Sequence, residues 1–340
     1  MIALLLLLAA ALADDHSKYF RWADGQVVVP HDEPEYHFIA DMHARIRPLV
    51  EDRPGVVRPF IAGRTVEKRP IWAFEISDPT EPIREKMLVF AGIHALEWVG
   101  VESAVEFLIE SIEHPPPGVQ IVVVPVLNVD KRLLVEADLL AGDRVYRRSN
   151  MNGVDLNRDF AVNRESQAIW RHILPDRYAT SPGPLSQPES QAIDALADAY
   201  RFDVSVSLHC FGGYIYTPWA GLFERPPHHA EHTALGRVMQ DAQRGGGAWA
   251  YQVKELSRWG FFFRALGSEL DHLYAQYGTM SFLIEMSRSG MEWHDRSTWK
   301  DPFRMYNPAD RQPHTDMGAD ALRAMSWHLS VAETDTGGAE

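Results

Sequence analysis

His94 and Glu97 frame the tetrapeptide His94-Ala95-Leu96-Glu97, a spacing that lets an imidazole and a carboxylate from one turn hold the same metal ion. An isolated H-x-x-E arises often by chance, so its meaning depends on what else the chain supplies. His209, delivered at the end of the alternating run 202–208, is the third ligand expected. Two histidines and a glutamate are a known catalytic zinc set, with an open position where a bound water's pKa falls to about 7. Glu285 ends the apolar run 280–284. A carboxylate there is either a capping charge or a base tuned by its surroundings. In a cleft it would take a proton from water and hand it to a leaving amine.

Arg144, Arg147, Arg148, Asn157 and Arg158 crowd residues 144–160 of an otherwise acidic chain. They read either as a solvated basic loop or as an anion site. The planar guanidinium fork fits a carboxylate bidentately, and asparagine adds a neutral donor. Asp155 can accept from the second nitrogen of a ligand histidine, as metal-bound imidazoles usually require.

These residues need a scaffold. The apolar run 86–93 reads as a buried strand ending at His94, and 119–127 as a second strand covered on both faces. Strands are also expected over 56–63, 70–77, 202–208 and 280–284, with helices over 36–51, 97–112, 188–200 and 319–331. Strands alternating with helices predict a single α/β domain with a central, mixed, mostly parallel β-sheet flanked by helices. Polar groups at strand ends then fall where such sheets bind ligands.

Composition sets limits. The chain has 340 residues, 46% of them hydrophobic, enough for one sizeable core. Its 47 acidic against 33 basic residues argue against nucleic acid as a partner. One cysteine, Cys210, excludes an intrachain disulfide and a cysteine-based zinc site. Residues 1–13 read as a short signal peptide with an A-x-A-like end at Ala11-Leu12-Ala13, which predicts a secreted or periplasmic protein without stable membrane association. Residues 14–35 form a lead-in, 36–332 the catalytic domain and 333–340 a flexible tail; a monomer is expected.

Taken in order, several stretches resemble the M14 family of zinc metallocarboxypeptidases, on the side of its carboxypeptidase A/B branch. They include Gly92-Ile93-His94-Ala95-Leu96-Glu97-Trp98, Arg144-Val145-Tyr146-Arg147, Val154-Asp155-Leu156-Asn157-Arg158-Asp159-Phe160, Ser207-Leu208-His209 and Phe282-Leu283-Ile284-Glu285. The resemblance covers residues 35–330. It implies one Zn2+ per chain on His94, Glu97 and His209, with Glu285 as general base and Arg147 stabilising the oxyanion. It further implies that Asn157 and Arg158 hold the free C-terminal carboxylate of a peptide substrate. Arg144 falls at an accessory cationic position nearer the entrance, and Asp155 behind His94.

The chain also departs from that pattern. Residues 259–267 contain no tyrosine where the branch has a mobile one, Leu96 stands where arginine is frequent, and Asn128-Val129-Asp130-Lys131 replaces Asn-Pro-Asp-Gly. In the specificity segment Glu269-Leu270-Asp271 is one residue longer than usual. Leu270 in the pocket predicts an apolar or aromatic C-terminal residue; Glu269 there predicts lysine or arginine. The cost of burying an unpaired charge favours Leu270. Two other readings share these motifs: a zinc deacylase of the aspartoacylase type, and a catalytically weak carboxypeptidase-like binding protein.

Overall fold

Met87-Leu88-Val89-Phe90-Ala91 has no polar face because the sheet it joins is covered on both sides. The computed structural model describes residues 36–165, 180–244, 250–258, 264–292 and 294–331. The expected signal peptide, lead-in and tail, and positions 259–263 of the tyrosine-free window, lie outside these residues. Eight strands form one sheet: β1 (Val57–Arg64), β2 (Pro70–Ile76), β3 (Glu85–Ala91), β4 (Val119–Val124), β5 (Val204–Cys210), β6 (Tyr214–Thr217), β7 (Gln252–Glu255) and β8 (Met280–Met286). Their order is β1-β2-β4-β3-β5-β8-β6-β7. The central strands β4, β3, β5 and β8 are parallel. Antiparallel pairing joins β1 to β2, β2 to β4 and β6 to β8. The expected mixed, mostly parallel α/β sheet is therefore present.

Side-chain alternation along these strands builds two cores. Met87, Val89, Ile121 and Val123 face one, which α1 (Ile39–Asp52), α2 (Trp98–Glu113) and α8 (Gln312–Val331) cover. Leu88, Phe90, Val122 and Val124 face the other, under α4 (Pro188–Tyr200). Each such aliphatic side chain contributes about 1.5–3 kcal/mol by leaving water. The remaining helices are α3 (Val129–Ala141), α5 (His229–Arg244), α6 (Glu269–Tyr277) and α7 (Pro302–Tyr306). Among the described residues no helix is long and apolar enough to cross a membrane.

Strand ends differ in detail from expectation. Gly92 adopts φ +66°, so β3 stops at Ala91 and His94 sits in the following loop rather than directly after the strand. His209 and Glu285 lie inside β5 and β8, opposite one another in parallel register. The short strands β6 and β7 and helices α3, α5, α6 and α7 were not expected.

Candidate metal centre and active-site cleft

The loop carrying His94 and Glu97 is braced from several directions. Asn128 donates its backbone N–H to the Gly92 carbonyl at 3.0 Å, and its side chain donates to the Ile93 carbonyl at 3.3 Å. Glu97 N–H closes a turn on the His94 carbonyl at 3.1 Å. Asn307 donates to the Leu96 carbonyl at 2.7 Å and accepts from Trp98 N–H at 2.8 Å. Leu96 itself is buried in the core with Trp98, so the leucine that departs from the family pattern serves packing. Gly100 lies on the helix that follows; a Cβ there would come within 3.0 Å of the Leu208 backbone, so α2 can settle directly on β5 beside His209.

Three buried side chains then converge. His94 Nδ1 lies 2.8 Å from Glu97 Oε1, His209 Nδ1 lies 3.0 Å from Glu97 Oε2, and the two Nδ1 atoms are 3.2 Å apart. Among the described residues they form a set of ligand atoms close enough to share one ion. The outer nitrogens explain the geometry. His94 Nε2 is 3.0 Å from Asp155 Oδ1, and His209 Nε2 is 3.0 Å from Glu269 Oε1. Each carboxylate engages Nε2 and so turns Nδ1 toward Glu97, the nitrogen a metal would take. Two imidazole Nδ1 atoms and one carboxylate converging at these distances make the donor set of a zinc site.

Electrostatics agree. Burial alone would raise the Glu97 carboxyl, but His94 and His209 outweigh it and hold it well below the usual range. Burial would lower the His209 imidazole, but Glu269 and Glu97 push it up to about 10 in the metal-free protein. A metal must therefore displace a proton as it binds. Zinc at a hundredfold excess over its dissociation constant should add about 2.7 kcal/mol of stability. A higher thermal midpoint with zinc and a lower one with chelator is expected; a midpoint indifferent to both would remove the centre.

Beside the metal ligands opens a cleft of about 510 Å³. Glu285 projects into it from β8. Its Oε2 is buried and, among the described residues, has no hydrogen-bond partner. Burial pushes its pKa up to about 8, with a further push from Glu97; His209 and Arg148 oppose. On the cleft's other side, Asp155 accepts from the Asn157 backbone N–H at 3.0 Å and starts the short turn Leu156–Arg158, which brings Asn157 and Arg158 to the cleft wall. Gly267 packs against this turn at φ +60°, where a Cβ would lie 2.8 Å from the Arg158 carbonyl oxygen. Gly267→Ala should therefore destabilise the fold by about 1 kcal/mol or more, read as a lower denaturation midpoint; an unchanged midpoint would show that the turn yields freely.

Three expected site residues sit elsewhere than expected. Arg147 does not line the cleft. Its guanidinium is paired bidentately with Asp138 of α3, with Nη2 at 2.9 Å from Oδ1. Arg148 faces the cleft instead, donating to Asp155 at 2.9 Å and to Glu97 at 3.2 Å. Burial opposes its charge, but Asp155 and Glu97 more than compensate. Arg144 turns outward to Asp301 at 2.8 Å. Leu270 is buried behind the cleft wall, packed with Tyr216, Leu256, Ala265 and Leu283, four residues that do line it. Glu269, the alternative pocket residue, points at His209. Neither Arg148 nor Glu269 was singled out for these roles. The available signal for Glu269 was that so buried an acid needs a partner, and Ser207 and His209 share one face of β5.

A profile of the zinc carboxypeptidase family matches residues 42–312. Human carboxypeptidase O is 25% identical over 262 residues, which is 72% of this chain but 65% of that relative, just under two thirds of its length. Rat carboxypeptidase B is 23% identical over 283 residues, covering 76% of this chain and 65% of the relative. The structure of bovine thrombin-activatable fibrinolysis inhibitor, in complex with tick carboxypeptidase inhibitor, superposes with a TM-score of 0.69 at 19% identity. It matches 86% of this chain and 97% of that one, a likeness that speaks for the fold. With the family profile spanning most of its length and the His94–Glu97–His209 centre intact, the chain belongs to the zinc carboxypeptidase family, the M14 metallocarboxypeptidases.

Proposed function

We propose that this protein removes single amino acids from the free C-terminus of peptides. One observation carries the reading: Asn157 and Arg158, suited to a carboxylate, share one cleft with the His94–Glu97–His209 centre and Glu285. Zinc held there supplies a Lewis acid and lowers the pKa of water at neutral pH. Asn157 and Arg158 hold the terminal carboxylate and so set the scissile bond one residue from the chain end. The Glu285 carboxylate takes the proton from the attacking water and returns it to the leaving amine. Arg148 donates N–H bonds to the negative charge that develops on the carbonyl oxygen.

The pocket for the departing residue supports an apolar or aromatic preference. Tyr214, Tyr216, Leu256, Ala265 and Leu283 line this cleft. Glu285 is its one acidic lining residue outside the metal set among the described residues, and it is committed to proton transfer. A terminal arginine would lie there without a partner, at a cost of a few kcal/mol. Peptides ending in phenylalanine should be cut at least ~100-fold faster than those ending in arginine, since each 1.4 kcal/mol is a factor of ten. Equal rates on parallel assays would defeat the assignment.

The function itself is tested by incubating the zinc-loaded protein with an unblocked peptide and with N-acetylated amino acids. Free C-terminal residues should appear from the peptide, stop on chelation and return with zinc. Hydrolysis confined to the acetylated amino acids would instead indicate a deacylase, and zinc binding with neither reaction a binding protein.

A further inference from the structure

Glu269 is buried, 1% exposed, at the first position of α6, where Ser268 caps the helix by accepting from Leu270 N–H at 3.1 Å. Its Oε1 accepts from Ser207 Oγ at 2.9 Å and sits 3.0 Å from His209 Nε2. Its backbone N–H donates to Asn157 Oδ1 at 3.2 Å. One residue thus touches both a metal ligand and the residue proposed to hold the substrate's terminal carboxylate.

We infer that Glu269 is a positioning residue that ties the metal ligand His209 to the carboxylate clamp at Asn157, an inference that rests on the proposed carboxypeptidase reading. The arrangement repeats what Asp155 does on the other side. Asp155 holds His94 Nε2 and the Asn157 backbone N–H; Glu269 holds His209 Nε2 and, through its own N–H, the Asn157 side-chain oxygen. Asn157 is therefore fixed at both ends. With its oxygen engaged, its side chain has the NH2 group left to offer, which is the end a carboxylate needs. The same acid fixes the His209 tautomer with Nδ1 free for the metal, and strengthens that nitrogen as a donor. Charge is accounted for as well: Arg148, Arg158 and a dication offset Glu97, Asp155, Glu269 and Glu285.

The test compares the wild type with Glu269→Gln, which keeps the shape, and Glu269→Ala. Zinc affinity is measured by competition with a chelator, and KM on a peptide ending in phenylalanine. Zinc should bind roughly 10-fold more weakly in E269Q and roughly 100-fold more weakly in E269A, the range seen when partners of metal-bound histidines are removed. KM should rise several-fold in both, because the Glu269 N–H that holds Asn157 loses its side-chain anchor on His209 and Ser207, and the cobalt(II)-substituted absorption spectrum should shift. If E269A does not fold, the isosteric E269Q decides. Unchanged zinc affinity overturns the inference, and weakened zinc with an unchanged KM overturns the tie to Asn157. A wild type that binds no zinc, or binds zinc and cuts no peptide, overturns the functional reading instead.

Discussion

Glu285→Gln should bind zinc like the wild type and lose turnover by about 10²–10⁴-fold, the usual share of general acid–base catalysis. The substitution keeps volume and shape but removes the site that accepts a proton. Among the described residues lining the cleft Glu285 is the one carboxylate outside the metal set, and its Oε2 is buried without a hydrogen-bond partner. A steady-state assay beside a zinc titration checks this; activity within a few-fold of wild type would sink the assignment of the base. Stability provides an independent readout. In the metal-free protein burial, then Glu97, raises the Glu285 pKa to about 8 from 4.5. The folded state then keeps this proton where the unfolded chain has released it, so stability falls as pH rises from 4.5 to about 8. Glutamine imitates the neutral acid. Metal-free E285Q should melt above the metal-free wild type at pH 8 and above, and the gap should close as pH falls toward 4.5.

Arg148→Ala should lower kcat by about 10²–10³-fold, whereas Arg147→Ala should leave it within a few-fold. Arg148 lies in the cleft, braced by Asp155 and Glu97, and so offers preorganised donors to a developing oxyanion. Arg147 makes a partly exposed pair with Asp138, worth about 0–1 kcal/mol. The two neighbours thus form an internal control. A severe loss in R147A with R148A active would reverse the roles and restore the register implied by sequence resemblance.

That contrast shows where the sequence stopped informing. Along an extended segment consecutive side chains point to opposite sides, so one of Arg147 and Arg148 faces the cleft, and composition does not say which. The choice falls to Asp138 and to Asp155, whose positions depend on the fold. The central strands were legible because β3 and β4 are apolar on both faces, and the metal ligands because their residue types and order are specific. Helix α3 was hidden by its own burial: Asp130, Arg132 and Glu136 lie inside, with Arg132 3.0 Å from Glu136 and over the Trp98 ring. A periodicity reading treats such charges as an exposed face. Helix α6 was hidden for the same reason, since Glu269, Asp271 and His272 are all buried. Leu270 was favoured over Glu269 for the pocket because a charge buried there would need a partner; the structure sets Leu270 one layer behind and gives Glu269 a partner in His209.

The proposed function needs the cleft to join a zinc centre to a clamp for a free C-terminal carboxylate. Mass spectrometry of one peptide ending in phenylalanine, offered to the zinc-loaded protein as the free acid and as the C-terminal amide, tests it directly. Stepwise loss of residues from the C-terminus of the free acid and an intact amide are expected; equal trimming of both, or cleavage within the chain, would overturn the carboxylate clamp.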